Sequence, residues 1–284
     1  MTNARLRMNN PKLQHWVPNF YLKKFASQST RDTKTPKIFV IDKTGTMESP
    51  RLMSTKQICG KRYLNSPVTK EGNRDFSLET YFSEIESDAA SYWDEVGEGT
   101  FPFDEHTQRH RLSEFIAALH LRNKFVSDAI AEVMRLRDLL FGGPKRITKT
   151  SDEAEIMPFD KEPDPTDPGR FFAQSTKRDI PRIARIFSNY DWALVRFDEE
   201  IVTSDRPVAF ETPGSRPGGP GNKTASAVVP ISPSSALLMF PTKKSKPAAT
   251  RVGDVSNEST AVNSLVYRKA ERFILSRSGK ASYI

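Results

Sequence analysis

An aromatic segment close to the start of the chain dominates the sequence: Gln14-His15-Trp16-Val17-Pro18-Asn19-Phe20-Tyr21-Leu22-Lys23-Lys24-Phe25-Ala26. This density of rings predicts a segment packed against the rest of the protein, because chain termini become ordered only when something holds them. His15 is one of four histidines, and imidazole has the ordinary pKa closest to neutrality. It is therefore a candidate proton donor or acceptor, although residue type alone favours a packing role.

The composition is typical of a water-soluble globular protein, with 37% hydrophobic and 27% charged residues among 284. There is no apolar run of about 18 residues that could span a bilayer. The first residues lack the apolar stretch of a secretory signal, so we expect no membrane partner. Cys59 is the only cysteine, which excludes a disulfide within the chain and favours a cytoplasmic location.

The formal net charge of +8 favours a polyanionic partner, above all nucleic acid. Basic residues are dense in the C-terminal part of the chain. The candidates there for contact with phosphate groups are Lys243, Lys244, Lys246 and Arg251.

One stretch has no periodicity and is rich in proline and aspartate. It follows Gly142-Gly143-Pro144 and predicts a flexible acidic loop near 144–170. We expect this loop to interrupt a single integrated domain that spans residues 1–284.

Two helices carry candidate site residues. Apolar residues at helical spacing predict a helix from Phe76 to Val96, capped by Ser77, with Glu79 and Glu86 on one side. A longer helix is predicted from Asp104 to about Leu140, and Arg122 lies within its apolar stripe. An unpaired buried charge costs several kcal/mol or more, so Arg122 needs either a structural partner, with Glu86 the first candidate, or an anionic ligand.

The remaining pattern predicts an α+β fold in which a helical N-terminal half packs on a mostly antiparallel sheet from the C-terminal half. The second half contains two predicted helices, over 171–190 and 256–270. Predicted strands are Lys37–Asp42, Gln57–Leu64, Trp192–Phe197, Ile201–Thr203, Ala227–Ile231, Ala236–Phe240 and Arg272–Leu275. The strands ending at Phe197 and beginning at Ile201 are expected to form a hairpin.

A second polar motif, Thr203-Ser204-Asp205-Arg206-Pro207, falls where a predicted strand ends. Strand ends present side chains to clefts more often than strand middles do. Ser204 and Asp205 are therefore candidate site residues, although both types also form turns by bonding their own backbone.

These motifs occur in the same order as in a bacterial family known only as a domain of unknown function, which the chain resembles over nearly its whole length. The residues that carry the resemblance are Gln14-His15-x-x-Pro18-x-Phe20-Tyr21-Leu22-x-x-Phe25, Ile85-Glu86, Phe115-Ile116-Ala117 before Arg122, Trp192, Thr203-Ser204-Asp205-x-Pro207-Val208, Pro230-Ile231-Ser232-Pro233 and Asn263. The resemblance implies that His15, Arg122, Thr203, Ser204 and Asp205 match the family's marked polar positions. Arg206 stands where the family often has asparagine. Families of this kind often occur in bacterial mobile or defence loci, which suggests a defence or toxin effector.

Two functions fit these residues. In the first, the chain is a nuclease in which His15 is a general acid or base, Asp205 orients it, and Arg122 binds the anionic substrate. Asp205 and Glu86 could instead hold a divalent metal ion. In the second, the same residues form a structural pocket in a non-catalytic nucleic-acid or nucleotide binding module. Phosphate-binding, dinucleotide-binding and serine-hydrolase motifs are absent from the sequence.

Overall fold

The computed structural model describes residues 11–47, 49–69, 71–141, 167–214, 219–242, 250–256 and 258–280. Its helices and strands follow one another in this order along the chain: β1 (Leu13–His15), α1 (Asn19–Lys24), β2 (Lys37–Asp42), β3 (Arg51–Ser54), β4 (Gly60–Arg62), α2 (Ser77–Glu98), α3 (His106–Leu121), α4 (Lys124–Phe141), α5 (Pro168–Ser188), β5 (Tyr190–Phe197), β6 (Thr203–Ser204), β7 (Ala209–Glu211), β8 (Ser226–Ser232), β9 (Ser235–Pro241), β10 (Thr250–Ser256), α6 (Ser259–Lys269) and β11 (Phe273–Ser276).

Three sheets organise the described residues. A two-stranded sheet pairs β1 with β4, a four-stranded sheet has the order β3-β2-β11-β6, and a five-stranded sheet has the order β10-β5-β9-β8-β7. The pairing is antiparallel except between β10 and β5, which run parallel. The mixed α+β class and the mostly antiparallel pairing are therefore confirmed. The strands are not confined to the C-terminal half, however, because β2 and β3 join β11 and β6 in one sheet.

The predicted hairpin after Phe197 is wrong. β5 pairs with β9 and β10, whereas β6 pairs with β11 in the other sheet. The segment between β5 and β6 crosses from one sheet to the other and is held by Asn263 of α6. Asn263 Oδ1 accepts the backbone N–H of Val202 at 2.8 Å, and its Nδ2 donates to the carbonyl of Glu200 at 3.0 Å. These bonds satisfy backbone groups that a hairpin would have paired, so the chain passes from one sheet to the other.

The single long helix predicted from Asp104 to Leu140 is also wrong. It divides into α3 and α4 at Arg122 and Asn123, where Asn123 Oδ1 accepts the backbone N–H of Phe125 at 2.9 Å. An asparagine side chain that satisfies a backbone donor in this way starts a new helix. Arg122 therefore lies at the C-terminal end of α3 instead of in the middle of a helix. Val133 falls at helical spacing on the apolar stripe of the predicted long helix, but it is 66% exposed on α4.

The helix predicted from Phe76 to Val96 is confirmed as α2, with one local difference. The side chain that bonds the backbone at the start of α2 is that of Asp75 and not that of Ser77. Asp75 Oδ1 accepts the backbone N–H of Ser77 at 2.8 Å. The buried face of α2 includes Phe82, Ile85 and Trp93. Trp93 also donates from Nε1 to the carbonyl of Ile231 at 3.2 Å, which joins α2 to β8.

The N-terminal aromatic segment is packed against the rest of the protein, as predicted. Within this segment, the Tyr21 side chain connects two sheets. The Tyr21 hydroxyl lies 2.7 Å from the carbonyl oxygen of Pro230 in β8 and 2.7 Å from Thr203 Oγ1 in β6. Because a carbonyl only accepts, Tyr21 donates to Pro230 and accepts from Thr203. One side chain of α1 therefore links the five-stranded sheet to the four-stranded sheet.

The single-domain organisation over residues 1–284 stays a prediction. One apolar cluster contains buried residues from Trp16 to Leu275, and so draws on both halves of the chain. Most of the acidic loop predicted near 144–170 lies outside the described residues, which omit residues 142–166.

We expect Tyr21→Phe to lower the free energy of unfolding by about 1–3 kcal/mol, because it removes two hydrogen bonds between buried groups. Chemical denaturation measures this loss. The matched control is Tyr81→Phe, which removes a 3.0 Å hydrogen bond to Glu114 from a partly exposed ring. The control should cost less than about 1 kcal/mol; equal losses in the two variants would contradict a special role for Tyr21.

Candidate functional site

His15 lies at the end of β1, opposite Gly60 of β4. Its Nε2 is 3.0 Å from the carbonyl oxygen of Lys56. Since a carbonyl only accepts, Nε2 carries the proton, and in the neutral ring Nδ1 is then the acceptor atom. Gly60 makes room for this arrangement, because a Cβ there would lie 3.2 Å from Cδ2 of the ring.

The surroundings of His15 favour its neutral form. Burial lowers the pKa of the imidazole below its ordinary value of 6.5, and the positive charge of Arg122 lowers it further. The hydrogen bond to Lys56 and the charge of Glu79 oppose these effects in part. At neutral pH the half-buried ring is therefore uncharged, with Nδ1 able to take up a proton.

Arg122 forms a buried cluster with two glutamates. Its side chain is 4% exposed, its Nη1 contacts Glu86 Oε1, and its Nη2 lies 3.8 Å from Glu79 Oε2. The guanidinium also lies over the ring of Phe82, 4.6 Å from its centroid. The predicted pair with Glu86 is confirmed, whereas the role of Arg122 in anion binding stays a prediction.

Arg122 keeps its charge in this cluster. Burial lowers the pKa of the guanidinium to about 10, and the charge of Glu79 opposes that shift. Among the described residues, neither Arg122 Nε nor Asn65 Oδ1 has a hydrogen-bond partner, although both atoms are buried. Buried polar atoms without partners are rare in folded proteins. The described residues therefore leave the hydrogen-bonding capacity of Arg122 Nε unsatisfied.

A chain of hydrogen bonds connects the cluster to the strand that carries His15. Asn65 Nδ2 donates to Glu79 Oε2 at 2.8 Å, and the backbone N–H of Asn65 donates to Gln14 Oε1 at 2.7 Å. Gln14 Nε2 in turn donates to Ser66 Oγ at 2.6 Å. These bonds fix β1 relative to α2, and so position His15 beside the charged cluster.

Sequence reasoning left two members of this network, Glu79 and Asn65, out of the candidate site. Glu79 shares a side of α2 with Glu86, two helical turns away, so its spacing was a usable signal. Asn65 lies in the loop between β4 and α2, where no periodicity points to burial.

Asp205 and Ser204 make structural contacts. Asp205 is 1% exposed, and its carboxylate accepts the backbone N–H groups of Glu271, Arg272 and Phe273 at 2.9–3.1 Å. Burial raises the pKa of this carboxyl group, and the three hydrogen bonds oppose the shift. Ser204 Oγ accepts the backbone N–H of Arg206 at 3.1 Å. These contacts hold the start of β11 against the turn after β6, and the catalytic roles of both residues stay predictions.

His15 and Asp205 lie on separate elements, His15 at the end of β1 and Asp205 directly after β6. Burial, and then the charge of Asp205, raise the pKa of the Cys59 thiol. Cys59 immediately precedes Gly60, the residue opposite His15. No hydrogen bond joins His15 to Asp205 among the described residues, and their shared cleft stays a prediction.

The metal site, the membrane and the C-terminal basic residues are the remaining subjects of the sequence predictions. No group of three metal-ligating side chains converges within the described ranges, and no described helix is long and apolar enough to cross a membrane. Glu86 contacts Arg122, and a divalent ion between Glu86 and Asp205 stays a prediction. Arg251 is exposed on β10, whereas the three predicted lysine contacts lie outside the described residues (Lys243, Lys244 and Lys246).

The fold and the site define an α+β protein with a buried arginine–glutamate cluster beside an N-terminal histidine. The chain belongs to the family described as Protein of unknown function (DUF4238), whose model matches residues 13–280. This confirms the resemblance seen in the sequence motifs. Neither the curated proteins nor the solved structures compared with the chain give a match.

We expect the pKa of His15 to lie below 6.5 and to respond in opposite directions to two substitutions. Arg122→Gln should raise it, because a nearby positive charge is removed, and Glu79→Gln should lower it, because a negative charge is removed. Titration of the ring nitrogens by NMR measures the pKa and reports which nitrogen carries the proton. A pKa at or above 6.5, or the same direction of shift in both variants, would contradict the arrangement.

Proposed function

We propose that this protein is a nucleic-acid-processing enzyme that cleaves phosphodiester bonds, with His15 as its general base. The observation that carries the proposal is the neutral, half-buried imidazole, whose Nε2–H bonds Lys56 and whose Nδ1 is left as acceptor. In RNA the group it would deprotonate is the 2′-hydroxyl, whose oxygen then attacks the adjacent phosphorus. The P–O5′ bond breaks, the leaving 5′-oxygen takes a proton from water, and a 2′,3′-cyclic phosphate remains. In DNA it would deprotonate an attacking water molecule; one P–O bond to a sugar oxygen then breaks, and that oxygen takes a proton from solvent. General bases of this kind contribute about 10²–10⁴-fold to a rate.

Electrostatics supports the same substrate class. The formal net charge of +8 attracts polyanions, and Arg122 places a positive charge close to His15. Arg122 Nε has no partner among the described residues. A phosphate oxygen that reached this nitrogen would be stabilised by the guanidinium as negative charge develops in the reaction.

A non-catalytic nucleic-acid or nucleotide binding module is the second candidate, and specific contacts favour it. Both Nη atoms of Arg122 face carboxylates, and Asp205 is engaged by three backbone N–H groups. In this account the polar motif residues stabilise the fold, and the basic surface binds the ligand.

The proposal extends to the biological setting. We propose that the protein works in the cytoplasm as a bacterial defence or toxin effector. Its single cysteine suits a reducing compartment, and cleavage of cellular or phage nucleic acid would suit either role.

The test compares wild type with His15→Gln, whose amide can still donate to the Lys56 carbonyl. Each protein is incubated with labelled single- and double-stranded RNA and DNA, with magnesium or with a chelator. We expect wild type to cleave at least one substrate and His15→Gln to be at least about 100-fold slower.

His106→Gln is the matched control, because His106 is exposed at the start of α3, and it should keep full activity. Sensitivity to the chelator would support participation of a divalent ion. Equal rates in wild type and His15→Gln would contradict the assignment of His15. Binding by wild type without cleavage of any substrate would favour the binding module.

A further inference from the structure

A cavity of about 500 Å³ opens between α1, the loop after it, α2, the turn from β8 to β9, and the residues that follow β11. Four basic side chains line it: Lys23, Lys24, Arg31 and Arg277. We call this cavity the cationic cleft. Two carboxylates, Asp32 and Asp94, also line it, so its side chains carry a formal charge of +2.

Arg277 is the most constrained of the four cations. Its Nη2 donates to the carbonyl of Lys24 at 3.3 Å, and its buried Nε has no hydrogen-bond partner among the described residues. The nearby carboxylate of Glu200 accepts the backbone N–H groups of Arg277 and Ser278. Within the described ranges, no carboxylate forms an ion pair with the Arg277 guanidinium.

Arg31 and Arg277 lie close enough for their charges to interact unfavourably. Burial, and then the positive charge of Arg31, lower the pKa of Arg277, whereas Glu200 raises it. Two guanidinium groups held together destabilise the folded protein unless an anion lies between them. The fold nevertheless brings them together from segments almost 250 residues apart in the sequence.

The two carboxylates of the cleft offset its positive charge only weakly. Asp94 contacts Lys24, and Asp32 Oδ1 lies 3.5 Å from Arg31 Nε, but their side chains are 75% and 87% exposed. Exposed pairs of this kind are screened by solvent and contribute little. The cleft therefore keeps an excess of positive charge.

We propose that the cationic cleft binds a phosphate group carried by a nucleotide or by a nucleic acid chain. Guanidinium groups bind phosphate oxygens with paired, charge-assisted hydrogen bonds. The hydroxyls of Ser232 and Ser234 line the same cavity and supply further donors. The volume falls within the range of about 300–1,000 Å³ found for small-molecule sites, and the ring of Phe20 lines it as an apolar surface.

The choice of nucleotide ligands rests on the proposed function, but binding at the cleft does not require cleavage. A chain that lacks catalytic activity would still bind phosphate there. The cleft also differs from the C-terminal lysine cluster predicted from the sequence, since its cations come from α1, the following loop and the residues after β11.

The test measures binding at low salt by calorimetry with inorganic phosphate, adenosine 5′-monophosphate and adenosine, and by fluorescence anisotropy with a labelled single-stranded oligonucleotide. We expect the phosphate-bearing probes to bind and adenosine to bind at least about tenfold more weakly. Arg277→Gln and Arg31→Gln should each weaken binding at least about tenfold. Stronger binding of the monophosphate than of the oligonucleotide would identify a nucleotide site, and the reverse order a nucleic acid site.

Arg135→Gln is the matched control, because Arg135 is exposed on α4 and pairs only with Glu132 among the described residues; it should bind as wild type does. His15→Gln should also bind normally, so loss of cleavage with intact binding would leave the cleft assignment standing. The assignment is overturned if wild type binds no phosphate-bearing probe, or if the two cleft variants bind as tightly as Arg135→Gln while all remain folded by circular dichroism.

Discussion

The burial of the Arg122 guanidinium is the constraint on which the rest of the site depends. A buried, unpaired charge would cost several kcal/mol, so the end of α3 must meet a part of the fold that supplies carboxylates. α2 does so with Glu79 and Glu86 from one side of the helix. Asn65 donates one hydrogen bond to Glu79 from its side chain and another to Gln14 from its backbone. The position of His15 therefore follows from the neutralisation of one arginine.

The same N-terminal segment also connects the sheets. Tyr21 donates to Pro230 in one sheet and accepts from Thr203 in the other, only a few residues after His15. Thr203 in turn precedes Ser204, whose hydroxyl bonds within the turn after β6, and Asp205, whose carboxylate holds that turn against the start of β11. Both sequence motifs thus have clear structural contacts, and the proposed chemistry depends on His15, whose Nε2–H bonds the Lys56 carbonyl and leaves Nδ1 as the acceptor. The cationic cleft begins on the other end of α1, at Lys23 and Lys24.

Local patterns predicted the elements that depend on local physics. The period of α2, the apolar runs of β2, β8 and β9, and the cost of a buried Arg122 could all be seen in the sequence. The break at Asn123 was missed because one capping side chain interrupts an otherwise helical pattern. The partner of β6 was missed because Asn263, about 60 residues away, sets the crossing. Asn65 and the cationic cleft have no local signal, since their contacts join separate segments of the chain.

The coupling free energy between Arg122 and Glu86 tests most directly the claim that their pairing organises the site. A double-mutant cycle with Arg122→Met and Glu86→Gln measures it from the free energies of unfolding of wild type, the two single variants and the double variant. We predict that Arg122→Met loses about 3–5 kcal/mol, because it leaves Glu79 and Glu86 without their cation. Glu86→Gln should lose less, because Glu79 still faces the guanidinium. We also predict that the double variant loses about 1–3 kcal/mol less than the two single losses added together, and this difference is the coupling free energy. Additive losses, with a coupling below about 0.3 kcal/mol, would contradict the claim.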